Sequence, residues 1–319
     1  MTRLSMRILA DTRATLPVYD RGLVTPGIVH LGIGNFHRAH QAVCVDDGLA
    51  ADPSWGIRGV SLRRPDMAQA LNPQDGLYTL AVKDGDGTRV RVIGSILDVL
   101  VAPEDRRAVL AAMIDPAIRI VSLTVTEKGY CHDPASGDLD PEHPGIRADL
   151  ATPENPSTAP ALLTEALRQR RDNGTPPFTV LSCDNLPSNG ATLARIVEQY
   201  AKLRDPDLAH WIADEVAFPS TMVDRITPAT TDADRAEIEA LTGRADAWPV
   251  LTEPFSQWVI EDRFPQGRPD FSLGGAEFVS DVEPFEHMKL RMLNGAHSTL
   301  AYYGQLLGRE TVADAMDDP

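Results

Sequence analysis

The stretch around Gly32 limits the possible folds of this chain more than any other. The apolar run Ile28–Leu31 is typical of a buried strand, Gly32-Ile-Gly34 follows it, and Phe36–Leu49 has helical spacing. Glycines between a strand and a helix permit a tight turn and let the backbone approach a pyrophosphate. His37 occupies the place of the third glycine of the dinucleotide fingerprint. The pattern is therefore incomplete, and only its strand–turn–helix context predicts a dinucleotide site.

Strands and helices alternate over the following residues. We predict strands at Trp55–Leu62, Ile118–Val125 and Phe178–Cys183, a hairpin of Tyr78–Val82 and Arg89–Ile93, a helix from Pro103 to about Met113, a loop at about Asp133–Pro160, and a helix from there to about Arg171. Mostly apolar runs are typical of strands buried on both faces of a parallel sheet. This alternation predicts an α/β fold with a Rossmann-like, doubly wound sheet.

The end of the chain has a different pattern. Beyond Asn189 we predict mostly helix, with an irregular segment around Trp248–Val282 and a last helix from about Glu286. We therefore expect a dinucleotide-binding domain over residues 1–282 and the start of a mostly helical second domain over 283–319. The chain ends soon after the apolar stretch Leu300–Leu307, which suggests a truncated second domain.

Composition excludes several classes of protein. The 319 residues carry a formal net charge of −16, which argues against nucleic acid and against anionic membranes as partners. The three cysteines, Cys44, Cys131 and Cys183, are far apart and odd in number, so a disulfide framework or a structural zinc site is not expected. The N-terminus lacks the apolar core of a signal peptide and no apolar run reaches membrane-spanning length. We expect a cytoplasmic protein and leave its oligomeric state open.

An acid near the end of the second strand selects the coenzyme in many Rossmann folds. Asp66 is the candidate to bind the ribose hydroxyls of NAD, although it lies later than the usual spacing of roughly 20 residues. Arg63 and Arg64 precede it and suit either the 2′-phosphate of NADP or solvent. We expect NAD and do not exclude NADP.

A second cluster lies on the last predicted helix. At about 100° per residue, Lys289 at 0° places His297 near 80° and Asn294 near 140°, so all three can face one cleft. A lysine that can lose its proton, beside an amide donor and a histidine, suits removal of a proton from a secondary alcohol. The alternative is an amphipathic helix with a solvated polar face.

Several motifs occur in a characteristic order and end in this helix. They are Gly32-Ile-Gly-Asn-Phe-His-Arg-Ala-His40, Thr124-Val-Thr-Glu-Lys-Gly-Tyr130, Ser182-Cys-Asp-Asn-Leu186, Phe218-Pro-Ser-Thr-Met-Val-Asp-Arg-Ile226 and Glu253-Pro-Phe-Ser-Gln-Trp258. Together they resemble the mannitol dehydrogenase family of long-chain polyol and hexuronate oxidoreductases over nearly the whole chain. The resemblance implies hydride transfer with a nicotinamide coenzyme and no metal.

The resemblance also implies roles for particular residues. Lys289 is the expected general base, Asn294 and Asn185 are the expected alkoxide-stabilising amides, and His297 is expected to orient the substrate hydroxyls. Asp224 and Glu286 match substrate-side or proton-relay positions. The coenzyme loop would consist of Gly32, Gly34, Asn35 and Phe36, and Asp66 matches the position tied to NAD preference. Structural alternatives remain for three of these: a cap or turn for Asn185, an ion pair with Arg225 for Asp224, and a favourable helix-end charge for Glu286.

Two substrate classes compete. Glu127–Cys131 and Pro284–Gly295 look more like fructuronate reductase, whereas Asp184–Gly190 looks more like the polyol enzymes that convert mannitol to fructose. We favour the mannonate/fructuronate pair, with Lys128 as a possible partner of the sugar carboxylate, and keep mannitol as the alternative. A non-catalytic nucleotide-binding protein is the alternative of another class, although such a protein has no need of a base at Lys289.

Overall fold

The computed structural model describes residues 2–316. Its strands are β1 Pro26–Leu31, β2 Gly56–Ser61, β3 Tyr78–Asp84, β4 Gly87–Ile93, β5 Ile96–Val101, β6 Ile120–Leu123, β7 Thr179–Ser182, β8 Thr221–Asp224, β9 Val250–Thr252, β10 Gln257–Glu261 and β11 Glu277–Val279. Its helices are α1 Asn35–Ala39, α2 Gln41–Gly48, α3 Asp66–Leu71, α4 Arg106–Ile114, α5 Pro144–Ala151, α6 Ala159–Asp172, α7 Asn189–Arg204, α8 Pro206–Glu215, α9 Asp232–Thr242, α10 Glu283–Met288, α11 Gly295–Leu306 and α12 Val312–Met316.

The central sheet has five parallel strands in the order β5-β2-β1-β6-β7. The chain moves outward from β1 to β2 and β5 on one side, then to β6 and β7 on the other. The strand order thus reverses beside β1. In open α/β sheets, ligands bind at such a switch point, beyond the carboxyl ends of the strands. The doubly wound, Rossmann-like sheet predicted from the sequence is confirmed.

Two apolar cores cover the faces of this sheet. Val29 and Leu31 of β1 point into one core, with Val121 and Leu123 of β6, whereas Ile28 points into the other. This alternation follows the two-residue period of a strand. Burying each such side chain stabilises the fold by about 1.5–3 kcal/mol, which explains why these short strands are nearly all aliphatic.

Two three-stranded sheets flank the central one, in the orders β4-β3-β9 and β11-β10-β8. The hairpin of β3 and β4 agrees with the sequence prediction. The expectation of an irregular segment over Trp248–Val282 was wrong, because β9, β10 and β11 lie there. Each is only three to five residues long and pairs with a strand distant in sequence.

Several predicted boundaries also need correction. The helix predicted over Phe36–Leu49 breaks at His40, whose φ of −123° and ψ of −86° separate α1 from α2. The helix predicted from Pro103 begins at Arg106, because the Asp105 carboxylate caps it by accepting from the Ala108 N–H. The loop predicted over Asp133–Pro160 contains α5, and β5 was not predicted at all.

The last helical segment is interrupted by a wider turn. It begins at Glu283 rather than Glu286, and between α10 and α11 the residues Lys289–Asn294 form a π-helical turn. Tyr302, Leu306 and other apolar side chains of α11 are exposed. Within the described residues, no helix is both long and apolar enough to cross a membrane.

Candidate active site

A cleft open to solvent lies at the carboxyl ends of β1 and β6. It consists of two adjoining cavities of about 640 and 580 Å³. We call the larger one the arginine pocket, after Arg63 and Arg64, and the other the lysine pocket, after Lys289. Gly32 and Gly34 line both cavities, so the predicted Gly-x-Gly loop forms their common floor.

The two glycines of this loop are needed for different reasons. Gly32 has a φ of +93°, and a Cβ there would lie 2.1 Å from the carbonyl oxygen of Thr124, so only glycine fits. A Cβ at Gly34 would meet nothing closer than the Gly32 oxygen at 3.8 Å. Its absence keeps the backbone accessible from the cleft, as an approaching pyrophosphate requires.

His37 replaces the third glycine by packing inward. Its ring stacks on that of His30 with centroids 3.4 Å apart, and both side chains are buried. The His30 ring nitrogens are hydrogen-bonded to the hydroxyls of Ser122 and Thr124 at 2.8 and 2.9 Å. Burial lowers the pKa of His30 to about 3 and that of His37 well below its ordinary value. These two neutral, packed histidines hold the loop on β1.

Asn35 and Phe36 follow the glycines and line the lysine pocket. The Asn35 Oδ1 accepts a hydrogen bond of 2.7 Å from buried Arg38, and the Phe36 ring stacks on His40 at 5.1 Å. The side chains of this loop are therefore fixed by their own neighbours. Their assignment to coenzyme binding stays a prediction.

Lys289 enters the lysine pocket from the π-helical turn. Its Nζ donates to the Val223 carbonyl at 2.7 Å and to the Asn185 Oδ1 at 3.0 Å. Burial lowers the pKa of Lys289 from its ordinary value, and the nearby charge of Asp224 opposes this shift. An ammonium group has three protons. Two are directed at fixed acceptors, which leaves the third to exchange with a ligand in the pocket.

Asn185 follows Asp184, just beyond β7. The buried Asp184 carboxylate accepts from the N–H groups of Val125 and Thr126 at 3.0 and 2.8 Å, and from the Tyr130 hydroxyl at 2.9 Å. Because Oδ1 of Asn185 accepts from Lys289, its Nδ2 is the remaining donor. No hydrogen bond joins that Nδ2 to another residue in the described part of the chain.

Asp224 ends β8 and lines the lysine pocket. Its Oδ2 is buried and has no hydrogen-bond partner among residues 2–316. Arg225 instead donates to the Ala39 carbonyl and to the Thr252 hydroxyl, and no ion pair between Asp224 and Arg225 is present in that range. The ion-pair alternative thus finds no support in the geometry, while Asp224 remains close enough to affect Lys289 electrostatically.

Glu286 lies one helical turn before Lys289, and both line a small cavity of about 50 Å³ beside the lysine pocket. Both oxygens of its buried carboxylate accept from the N–H of Ser188, at 3.1 and 3.0 Å. Burial raises the pKa of Glu286, and this hydrogen bond opposes the rise. The carboxylate therefore contacts the start of α7 in addition to lying in the first turn of its own helix.

Asn294 and His297 do not line the lysine pocket. Asn294 is half-buried and His297 is exposed. The assumed rotation of 140° for Asn294 holds for an α-helix, whereas a π turn is closed by i→i+5 hydrogen bonds. Residues five apart then lie close to the same face, so Asn294 is nearer the Lys289 side than predicted. The roles of both residues stay predictions.

The opposite end of the cleft carries the other predicted charges. Arg63, Arg64 and Lys128 line the arginine pocket. Asp66 does not line it; the residue begins α3, and its carboxylate pairs with the Arg64 Nε at 3.2 Å. Lys128 is likewise absent from the lining of the lysine pocket, where a sugar carboxylate would have to lie.

No group of three or more His, Cys, Asp or Glu side chains suited to a metal ion occurs within the described range. Cys44, Cys131 and Cys183 are buried free thiols.

Sequence comparison identifies the family. The sequence model of the mannitol dehydrogenase Rossmann domain matches residues 26–273, and that of the mannitol dehydrogenase C-terminal domain matches residues 281–319. The chain belongs to the mannitol dehydrogenase family. A mannitol 2-dehydrogenase of Cereibacter sphaeroides is 50% identical over 309 residues, which cover 96% of this chain and 64% of that enzyme.

Solved structures of this mannitol dehydrogenase family share the fold described above. A substrate-free D-sorbitol dehydrogenase matches with a TM-score of 0.96 at 43% identity, over 99% of this chain and 67% of its own. A Pseudomonas fluorescens mannitol 2-dehydrogenase, solved with NAD and D-mannitol, matches with a TM-score of 0.93 at 44% identity, over 100% of this chain and 66% of its own. The chain spans 62–64% of the length of the curated relatives compared.

Sequence reasoning missed the hydrogen-bonded residues that lie next to Asn185. Asp184 and Tyr130 both lie inside motifs quoted for the family resemblance, yet nothing in a single sequence links two residues 54 positions apart. Thr126, with a φ of +64°, was equally unforeseen. The one available signal was the acid Asp184 next to Asn185, because a buried acid requires several hydrogen-bond donors around it.

Proposed function

We propose that this protein is a nicotinamide-dependent oxidoreductase that transfers hydride between NAD and a secondary alcohol of a polyol. One observation carries the proposal. The half-buried Lys289 amine, held by Asn185 and the Val223 carbonyl, lies in a pocket that shares its floor with the Gly32–Gly34 loop. A base of lowered pKa next to a dinucleotide cradle suits alcohol oxidation.

The residues of the cleft fit a dinucleotide. Gly32 permits the tight turn and Gly34 leaves backbone exposed, so the loop can lie against a pyrophosphate. Asn35 and Phe36 would then contact the nicotinamide half, because they line the lysine pocket. The bound coenzyme supplies the hydride acceptor. NAD is the coenzyme in the solved mannitol 2-dehydrogenase complex.

The side chains of the pocket would carry the proton and stabilise the oxygen. Neutral Lys289 takes the proton of the substrate hydroxyl, and the Nδ2 of Asn185 donates to the alkoxide oxygen that forms. Asn294 is the expected second donor. Loss of one such donor typically costs about 3–4 kcal/mol of transition-state stabilisation. In the reverse direction, protonated Lys289 returns the proton to the reduced carbonyl oxygen.

Charges in the lysine pocket favour a neutral polyol over a sugar acid. Glu127, Asp184 and Asp224 line it, against Lys289 and Arg225. A uronate carboxylate would meet this excess of acids, and Lys128 lines the other pocket. The named relatives are polyol enzymes as well. These observations favour mannitol, the alternative substrate, over the mannonate/fructuronate pair favoured by the sequence.

We further propose that residues 1–282 form the coenzyme domain and that 283–319 begin a helical substrate domain. The family models divide the chain at nearly the same place. Under this proposal Lys289 reaches from the second domain to Asn185 of the first, so the active site lies at the domain boundary.

Steady-state assays with matched substrates test the function. The purified protein should oxidise mannitol with NAD and reduce fructose with NADH, whereas mannonate and fructuronate should turn over at least tenfold more slowly. Lys128→Ala should leave these rates unchanged and Lys289→Ala should abolish them. Turnover of fructuronate alone would refute the polyol assignment. NADH binding without turnover of any of the four substrates would favour the non-catalytic alternative.

A further inference from the structure

We propose that Thr126 is a binding residue for the middle of the coenzyme, with a hydroxyl that a strained backbone holds between the two pockets of the cleft. The middle of a dinucleotide is the stretch where the pyrophosphate meets the nicotinamide ribose. The inference rests on the proposed function, because it requires a dinucleotide that lies across both pockets. It adds a residue that follows β6 to the Gly32–Gly34 loop that follows β1.

The position of Thr126 carries the first part of the argument. The linings of the arginine pocket and the lysine pocket share four residues, namely Gly32, Gly34, Thr124 and Thr126. The two glycines form the turn that a pyrophosphate can approach. The hydroxyl of Thr124 is already engaged, because it donates to the Gly32 carbonyl at 2.8 Å and is hydrogen-bonded to the ring of His30. Thr126 therefore offers the remaining hydroxyl at the junction of the pockets.

The side chain of Thr126 has no structural task in the described part of the chain. Threonine before a helical turn commonly caps it by accepting from a backbone N–H. Thr126 precedes the 3₁₀ turn Glu127–Tyr130, yet its side chain makes no capping hydrogen bond. It is exposed, and no hydrogen bond joins its hydroxyl to another residue between 2 and 316. A ligand in the cleft can therefore reach this hydroxyl.

The backbone conformation of Thr126 is an independent observation. Its φ of +64° and ψ of +164° lie in a region that is essentially confined to glycine. A β-branched residue in this region is a clear outlier. Such strain persists where the surrounding structure fixes it, and it is concentrated at ligand-binding and active sites. Glycine would fit this backbone more easily, so the threonine side chain requires a reason, and its place in the cleft provides one.

The buried carboxylate of Asp184 fixes this strained conformation. Its two oxygens accept from the consecutive N–H groups of Val125 and Thr126, at 3.0 and 2.8 Å. The carbonyl of Thr126 accepts from the Gly129 N–H at 2.9 Å. Both backbone groups of Thr126 are thus satisfied within the protein, so the hydroxyl is the polar group that it presents to a ligand.

The chemistry of a hydroxyl suits the middle of a dinucleotide. A threonine hydroxyl donates one hydrogen bond and can accept two, so it can bind either a phosphate oxygen or a ribose hydroxyl. It carries no charge, and the neighbouring acid Glu127, which lines the lysine pocket, does not neutralise it. A hydrogen bond of ordinary strength changes affinity by about threefold to tenfold.

Equilibrium binding of coenzyme fragments tests this contact without turnover. ADP-ribose contains the pyrophosphate and both riboses, whereas 5′-AMP lacks the pyrophosphate and the second ribose. Thr126→Val keeps the branched shape and removes only the hydroxyl, so isothermal titration should show about threefold to tenfold weaker binding of ADP-ribose and unchanged binding of 5′-AMP. Thr126→Ser keeps the hydroxyl and should bind both fragments as the wild type does.

Thermal unfolding provides a second readout, which a merely structural role would move in the opposite direction. Thr126→Gly should raise the unfolding midpoint by roughly 1–4 °C, because relief of the strain exceeds the cost of a more flexible unfolded chain. The same variant should bind ADP-ribose as weakly as Thr126→Val does. Asp75→Gly is the matched control, since Asp75 has a φ of +57° and lies outside the lining of both pockets. Its affinity for ADP-ribose should be unchanged.

The outcomes separate this inference from the proposed function. If Thr126→Val and the wild type bind ADP-ribose equally while mannitol is still oxidised with NAD, the contact is refuted and the proposed function stands. A lower unfolding midpoint for Thr126→Gly would refute the strained conformation. If the wild type binds neither ADP-ribose nor NADH, both proposals fail.

Discussion

Replacement of Asp184 by asparagine tests whether the buried carboxylate positions the amide of Asn185, the proposed alkoxide donor. One carboxylate oxygen accepts from the Val125 N–H and the Tyr130 hydroxyl, and the other accepts from the Thr126 N–H. In Asp184→Asn the amide oxygen can keep the first two bonds, but its NH₂ group then faces the Thr126 N–H. Two buried donors opposite each other should cost about 1–3 kcal/mol of folding stability.

We expect a larger effect on catalysis than this loss of stability explains. Relief of the donor clash must move either the Thr126 loop or the adjacent Asn185, which accepts from Lys289. Because misplacement of a catalytic group by about 1 Å can cost roughly a hundredfold in rate, kcat should fall between about tenfold and a hundredfold. Thr126 lines both pockets, so movement of its loop would also weaken NADH binding, whereas movement of Asn185 alone should lower kcat and change the affinity for NADH less.

The chain offers a matched control in Asp46. This buried acid also accepts from a tyrosine hydroxyl, that of Tyr19, and from a backbone N–H, that of Gly94, while its second oxygen accepts from Arg91. Asp46→Asn creates the same kind of donor clash outside the lining of either pocket of the cleft. Steady-state kinetics, NADH titration and urea unfolding should show similar destabilisation for both variants and a loss of kcat only for Asp184→Asn. Equal kcat values in the two variants would refute the positioning role.

Three further outcomes follow from the site. Burial lowers the pKa of Lys289, and its neutral form is the proposed base, so the rate of alcohol oxidation should rise with pH through that lowered pKa and the rate of ketone reduction should fall over the same range. In Lys289→Met both pH dependences should disappear, while NADH binding stays intact. His30 and His40 have pKa values lowered by burial to about 3 and about 4, so the unfolded chain takes up their protons first, below about pH 6.5. Their contribution to stability is complete above that pH and should decline on acidification, to about pH 4 for His40 and about pH 3 for His30, by at most roughly 1.4 kcal/mol per pH unit for each histidine. Urea unfolding should give a shallower dependence for His30→Asn, and an unchanged slope would contradict this account. Activity should survive exhaustive chelation, and loss restored by zinc would contradict the metal-free mechanism.

Local signals accounted for the central sheet but not for the flanking ones. The apolar runs of β1, β6 and β7 are buried on both faces, so the sequence itself contains the period that identifies them. The strands β9 and β11 have three residues each and depend on partners elsewhere in the chain. Such pairing is a tertiary property, and no local pattern predicts it.

In the candidate site, too, the sequence predicted some contacts and not others. Lys289 and Asn185 were named from motifs, and the structure joins them by a hydrogen bond of 3.0 Å. Lys128 was named as partner of the sugar carboxylate because a uronate requires a cation and Glu127–Cys131 resembles fructuronate reductase, although Lys128 lines the other pocket. Neighbours in a turn can face opposite cavities, and spacing along the chain does not record which one.

The π-helical turn makes chain length part of the active site. A π turn fits one more residue into a turn than an α-helix does and is seldom adopted without a functional need. Deleting one residue between Lys289 and Asn294 would let α10 and α11 join into one regular helix, with better backbone geometry than before. The shorter protein should unfold at a higher temperature. Residues four apart in an α-helix share a face, as residues five apart in a π turn do, so the lysine and the amide should stay on one side of the helix, and any loss of activity would measure what the wider turn itself contributes.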